Sequence, residues 1–235
     1  MTRDKISIEY SNKVIYDKNH WGILAHKRDR AKKILHMFHK EGLNPLVFGS
    51  LARGDVKKSS DIDIIFPDKI PTYKLEVIID KNGEYIFAKD IIQATPGDTI
   101  KANIYLSEQE CLTVPLTRFI KKSFQFYQFG GCLDLDKLSK NERVPGTDKN
   151  LILKIPTKYG HNELELKNNE FYASKLLNID LEFILQRIRV LTRRDKVGRT
   201  GVFLHKNLNL EDNFEKVLKD ISDRNSFVRR ILMKG

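Results

Sequence analysis

The chain has 235 residues, 40% hydrophobic and 31% charged, with 42 Lys and Arg against 31 Asp and Glu and a formal net charge of +11. This balance argues against a disordered chain, leaves room for one large or two small cored domains, and favours polyanionic partners. No apolar run approaches the roughly 18 residues of a membrane span, and the first residues lead into no signal-peptide core, so a cytoplasmic protein without membrane contact is expected. Cys111 and Cys132 lie in apolar surroundings with no Cys or His at metal-ligand spacing, and free, buried thiols are expected.

From the N-terminus, Ile6 to Tyr10 and Lys13 to Tyr16 alternate as short strands, and Trp21 reads as a packing residue. Ala31, Ile34, Leu35 and Phe38 recur at helical spacing, predicting a helix from Lys27 to Glu41 that Gly42 ends, with a Lys/Arg-rich opposite side.

The run from Val47 to Phe66 is the most informative stretch. An apolar strand ends in Gly49-Ser50, ten residues follow, and a second apolar strand carries Asp61 and Asp63 at alternate positions. Alternation puts both carboxylates on one face and Ile62 and Ile64 on the other. Two carboxylates about 6 to 7 Å apart along a strand repel, and a hard divalent cation removes that cost. Gly49 allows close approach of a ligand, while the Ser50 hydroxyl and the start of a short helix suit phosphate oxygens. Solvated carboxylates are the plainer reading of Asp-x-Asp alone, but the apolar setting of Ile62, Ile64, Ile65 and Phe66 speaks against it.

These words resemble the signature of the DNA polymerase β-like nucleotidyltransferase superfamily, with Ala52-Arg53-Gly54-Asp55 and Ser60-Asp61-Ile62-Asp63 closest to its small prokaryotic members. The resemblance covers about residues 27 to 106. It implies a mixed sheet flanked by helices, two divalent metals (Mg²⁺ or Mn²⁺) on the acidic pair, nucleotide phosphates on the Gly-Ser turn, and a third carboxylate on a later strand. Arg53 is a candidate for neutralising phosphate charge or for a structural ion pair.

Beyond Phe66 the residues Tyr73 to Ile79 and Tyr85 to Thr95 read as strands of a hairpin turning at Asp80-Lys81-Asn82-Gly83, followed by a strand from Thr99 to Leu106. Glu76, Asp80 and Asp90 are candidates for the third carboxylate. Asp90, flanked by apolar residues, is chosen over Glu76, and Asp80 is assigned to turn geometry. Where the superfamily often carries that acid, this chain has Asn103.

Pro115 to Tyr127 is compatible with a helix, and Phe126-Tyr127-Gln128-Phe129-Gly130-Gly131 reads either as packing with a turn or as a stacking platform for a base. Lys137 to Asn150 is polar and broken by Pro145-Gly146, predicting a linker and a domain boundary near residue 145. Beyond it a strand from Leu151 to Pro156, a short helix from Asn169 to Asn178, a longer one from Asp180 to Arg194 and a hairpin around Val197 to Leu204 resemble a winged helix-turn-helix domain. Arg187, Arg189, Arg193, Arg194, Lys196, Arg199 and Lys206 stand against the single acid Asp195 between residues 186 and 206, a candidate nucleic-acid surface.

The expectation is thus an α+β chain: a nucleotidyltransferase core over 1–145 and a small winged-helix unit over 146–235. It is expected to transfer a nucleoside monophosphate from a nucleoside triphosphate to a nucleic acid. Asp61, Asp63 and Asp90 are assigned to metal and catalysis, and Gly49, Ser50 and Arg53 to the nucleotide. A protein acceptor, as in toxin-antitoxin adenylyltransferases, and a DNA-binding regulator that binds nucleotide without turnover are the alternatives.

Overall fold

The structure is a computed structural model and describes residues 10–198 and 201–233. The first strand of the predicted pair, Ile6 to Tyr10, falls almost wholly outside them.

Chain order begins with β1 (Asn12–Ile15), α1 (Lys18–His39), β2 (Leu46–Phe48), α2 (Ser50–Arg53), β3 (Ile62–Ile65), α3 (Thr72–Lys81), β4 (Ala88–Gln93), β5 (Lys101–Ser107), β6 (Glu110–Pro115) and α4 (Lys121–Gly130). It continues through β7 (Cys132–Leu133), α5 (Leu135–Ser139), β8 (Gly146–Thr147), β9 (Ile152–Thr157), β10 (Gly160–Glu165), α6 (Glu170–Leu177), α7 (Leu181–Val197), β11 (Leu204–Leu208), α8 (Phe214–Arg224) and α9 (Ser226–Met233).

The larger sheet has the order β11-β4-β5-β6-β3-β2-β7, and β3 runs parallel to β6 while the other pairings are antiparallel. Side-chain alternation divides it into two faces. One face carries Val47, Ile62, Ile64, Ile91, Ala102, Ile104, Leu112 and Val114, all buried, against Ala31, Ile34, Leu35 and Phe38 of α1 and Leu75, Ile78 and Ile79 of α3. Phe214, Leu218 and Val228 of the C-terminal helices complete this core. The other face carries Phe48, Asp63, Ile65, Cys111, Thr113, Asn103 and Asp90.

Tyr73 to Ile79 is helical, which corrects the predicted strand and hairpin. Buried Thr72, Leu75, Ile78 and Ile79 recur at helical spacing, and the Asn82-Gly83 signal caps the helix, with Gly83 at positive φ. The stretch predicted as helix from Pro115 instead ends β6 at that residue, and α4 starts at Lys121.

A second sheet, β1-β10-β9-β8, packs Leu151, Leu153, Leu164 and Leu166 with Ala173 and Leu177 of α6, Phe183, Ile184 and Leu191 of α7, and Phe129 of α4. The predicted linker holds the end of α5 and all of β8. Nor do the sheets part at residue 145: β1 pairs with β10, and β11 pairs with β4 in register from Leu204↔Gln93 to Leu208↔Lys89. This pairing also corrects the predicted wing. The strand that was to close a C-terminal hairpin extends the larger sheet instead, because β4 offers it an unpaired edge. Helices α6 and α7 form as predicted.

Candidate active site

The register Phe48↔Asp63 brings the end of β2, and the turn that follows it, beside the start of β3. Gly49 adopts φ 77 and ψ −138, a conformation closed to residues with a Cβ, and Ser50 begins α2 directly after it. The Gly49 N–H donates to the Gly131 carbonyl at 2.9 Å, so that amide is engaged within the fold. Ser50 is partly exposed.

Asp61 is exposed one residue before β3, and Asp63 is partly buried within it. Burial, and then the charge of Asp61, push the Asp63 carboxyl up to about 6. The charge of Asp61 thus disfavours the ionised form of Asp63. No described Lys, Arg or His forms an ion pair with either of them.

Two basic residues of α1, Lys27 and Arg28, hold the motif from behind. Lys27, 9% exposed, donates from Nζ to the Ser60 carbonyl at 2.6 Å, fixing the approach to Asp61. Arg28, 3% exposed, donates to the Leu51 carbonyl at 3.1 Å and the Ala52 carbonyl at 3.2 Å, fixing the end of α2. The only sequence signal was their position one turn before Ala31 on the buried stripe.

Arg53 is not free for phosphate. It is buried, forks onto Asp55 with 3.0 Å from Nε to Oδ1 and 3.0 Å from Nη2 to Oδ2, and donates from Nη1 to the Gly130 carbonyl at 2.6 Å. Its role is to hold the Gly130-Gly131 turn whose second carbonyl receives Gly49. A Cβ on Gly130 would run into the Phe48 ring, which explains the glycine. The neighbouring aromatics follow the packing alternative: Tyr127 and Phe129 are buried, Phe126 and Tyr127 pack on Phe48, and Lys101 lies 5.0 Å from the Tyr127 ring centre.

Asp90 does not join the pair. Rows across the sheet run Ala88–Tyr105–Cys111–Asp63 and Asp90–Asn103–Thr113–Ile65, so Asp90 shares the face but stands three strands away. At about 4.8 Å per strand that is roughly 14 Å, whereas carboxylates sharing one Mg²⁺ at about 2.1 Å lie within about 5 Å of each other. Its carboxylate accepts from Asn103 Nδ2 at 2.8 Å and the Tyr105 hydroxyl at 3.0 Å, and His205 Nε2 lies 3.3 Å away. Glu76 pairs with Lys89 at 2.9 Å, and Asp80 is exposed on α3. The positions beside Asp63 on the neighbouring strand belong to Cys111 and Thr113, in β6, a strand the sequence reading missed. Burial pushes the Cys111 thiol up to about 12 and the Cys132 thiol up to about 11, so both are un-ionised free thiols.

Residues 29–127 match the family model of the nucleotidyltransferase domain. The match runs from α1 into α4 and includes the Gly49-Ser50 turn, Asp61 and Asp63. It supports placement of this segment in the nucleotidyltransferase superfamily and, with it, a transferase activity. No curated protein and no solved structure matches the chain.

The basic residues divide. Arg189, Arg193, Arg194 and Lys196 are exposed along the C-terminal half of α7. Arg187 is instead packed 5.2 Å from the Phe126 ring centre and 5.9 Å from that of Phe129, joining α7 to α4, and burial lowers its pKa. Arg199 lies outside the described residues. No described helix is long and apolar enough to cross a membrane.

Proposed function

We propose that this protein transfers a nucleoside monophosphate from a nucleoside triphosphate to an acceptor nucleic acid, with Asp61 and Asp63 as the metal-binding carboxylates. The observation that carries this reading is the uncompensated acid pair beside the Gly49-Ser50 turn. Among the described residues no group of three or more His, Cys, Asp or Glu side chains is placed to hold a metal. Mg²⁺ needs no such cage: it is commonly held by one or two carboxylates together with substrate phosphates and water. Hard oxygen donors, mutual repulsion and a partly buried carboxyl all fit that ion or Mn²⁺.

When bound, a divalent ion supplies charge neutralisation at the phosphates and lowers the pKa of an attacking hydroxyl. Asp61 and Asp63, at the start of β3, would hold that ion and so orient the triphosphate. Ser50 donates its hydroxyl to a phosphate oxygen. Arg53, through Gly130 and Gly131, fixes the turn on which Ser50 sits. Exposed Arg189, Arg193, Arg194 and Lys196 attract the polyanionic acceptor.

The absence of an acid from Cys111 and Thr113 favours one second reading, a nucleotide-binding unit without turnover. Incubation with Mg²⁺ and each labelled nucleoside triphosphate, alongside tRNA, single-stranded DNA or no acceptor, separates them. Label on nucleic acid supports the proposal, label on polypeptide indicates protein modification, and binding without transfer supports the second reading.

A further inference from the structure

At the opposite end of α4 from the Gly-Ser turn lies a cavity of about 620 Å³ between the β4–β5 connection, the β6–α4 connection and α9. Arg118 and Lys121 enter its wall from one side and Arg230 from the other, although more than 100 residues separate them in sequence. The one lining carboxylate, Asp98, accepts from the Thr95 hydroxyl at 2.7 Å. Lys121 pairs with exposed Asp180 at 2.8 Å, and among the described residues no carboxylate pairs with Arg118 or Arg230. Convergent cations repel one another until an anion enters.

Two rings share the wall. Phe119 stacks on Tyr127 with centroids 5.8 Å apart, and Phe227, 51% exposed, meets Phe203 edge-on at 6.0 Å. An aromatic side chain this exposed beside three cations suits a ligand with both a flat ring and an anionic group. The volume falls within the range of small-molecule sites.

We propose that this cavity is a second, non-catalytic site that binds one nucleotide unit, its phosphate on Arg118, Lys121 and Arg230 and its base against Phe227. The cavity sits at the Lys121 end of α4, and neither Asp61, Asp63 nor the Gly49-Ser50 turn lines it. Its occupant is either a free nucleotide or one unit of a single-stranded nucleic acid. The assignment does not rest on the acid pair being catalytic.

The test is made in EDTA, by fluorescence anisotropy on the full chain, with AMP carrying an N-methylanthraniloyl group and with a fluorescein-labelled single-stranded hexanucleotide as probes. Binding of the first assigns a free nucleotide, and binding of the second alone assigns a unit of a chain. R118A/R230A should weaken the bound probe at least about tenfold, since two charge-assisted contacts are lost. F227A should weaken it several-fold, and D61N/D63N should leave it unchanged. Thermal melting checks that each variant is folded, and 8-azido-AMP should photolabel wild-type peptides carrying Phe119 or Phe227. Failure of both probes to bind, equal affinity in R118A/R230A and wild type, insensitivity to F227A, or photolabelling confined to other peptides overturns the proposal. Loss of transfer in D61N/D63N with this binding intact would separate the two sites.

Discussion

Replacing Asp63 by Asn should make the metal-free protein more stable at neutral pH while removing a proposed metal ligand. The Asp63 carboxyl is lifted from its ordinary 3.8 to about 6, first by burial and then by Asp61. The folded state therefore holds this proton more tightly than the unfolded chain does. Its contribution to stability is undiminished below pH 3.8, falls as pH rises from 3.8 to 6, and is lowest above that. The full displacement corresponds to at most about 3 kcal/mol. In a chain of 235 residues each kcal/mol moves Tm by about 2–4 °C, so D63N should melt about 4 to 10 °C above wild type at pH 7.5 in EDTA. At pH 4 the two should come within about 2 °C of each other. Mg²⁺ with a non-hydrolysable nucleoside triphosphate should then raise the wild-type Tm by more than that of D63N. A variant that melts below wild type at pH 7.5, or a gap that fails to close toward pH 4, refutes the reasoning.

Arg53→Ala strips Asp55 of its fork and Gly130 of its donor, leaving Lys154 3.8 Å from the carboxylate. Loss of one partner of a buried pair costs about 3 to 5 kcal/mol, readable by urea unfolding, and a loss below about 1 kcal/mol would return Arg53 to phosphate binding. A fragment of residues 1–145 should fail to fold cooperatively, since β1 loses β10, β4 loses β11, and the core loses Phe214, Leu218 and Val228. Those three side chains are worth about 1.5–3 kcal/mol each, comparable with a domain's whole stability. A sharp melting transition of the fragment would show that the chain divides at 145 after all.

The motif between Val47 and Phe66 was legible because its signal is local: the Gly49-Ser50 turn and the apolar strand carrying Asp63 form where their spacing predicted, while Asp61 lies one residue before that strand. Helix α7 was legible for a similar reason, its apolar stripe being unbroken. Tyr73 to Ile79 misled because Tyr, Val and Ile favour strands, while the spacing of Thr72, Leu75, Ile78 and Ile79 already had the helical period. The start of α1 was also written in the sequence, in Asp17, whose side chain accepts from the His20 N–H at 2.7 Å. What no local pattern carries is strand order. Asp90 was correctly placed on an apolar strand, yet its distance from Asp63 depends on β5 and β6 lying between them. The pairing of β11 with β4 likewise joins segments more than 100 residues apart.

The most direct measurement is Mn²⁺ binding followed by electron paramagnetic resonance, with a non-hydrolysable nucleoside triphosphate present. Wild type should bind at least one Mn²⁺ per chain tightly only when the nucleotide is added, because two carboxylates alone hold the hydrated ion weakly and the phosphates supply further ligands. D61N/D63N should lose that signal while keeping its fold. Equal nucleotide-dependent Mn²⁺ binding by the folded double variant would contradict the account.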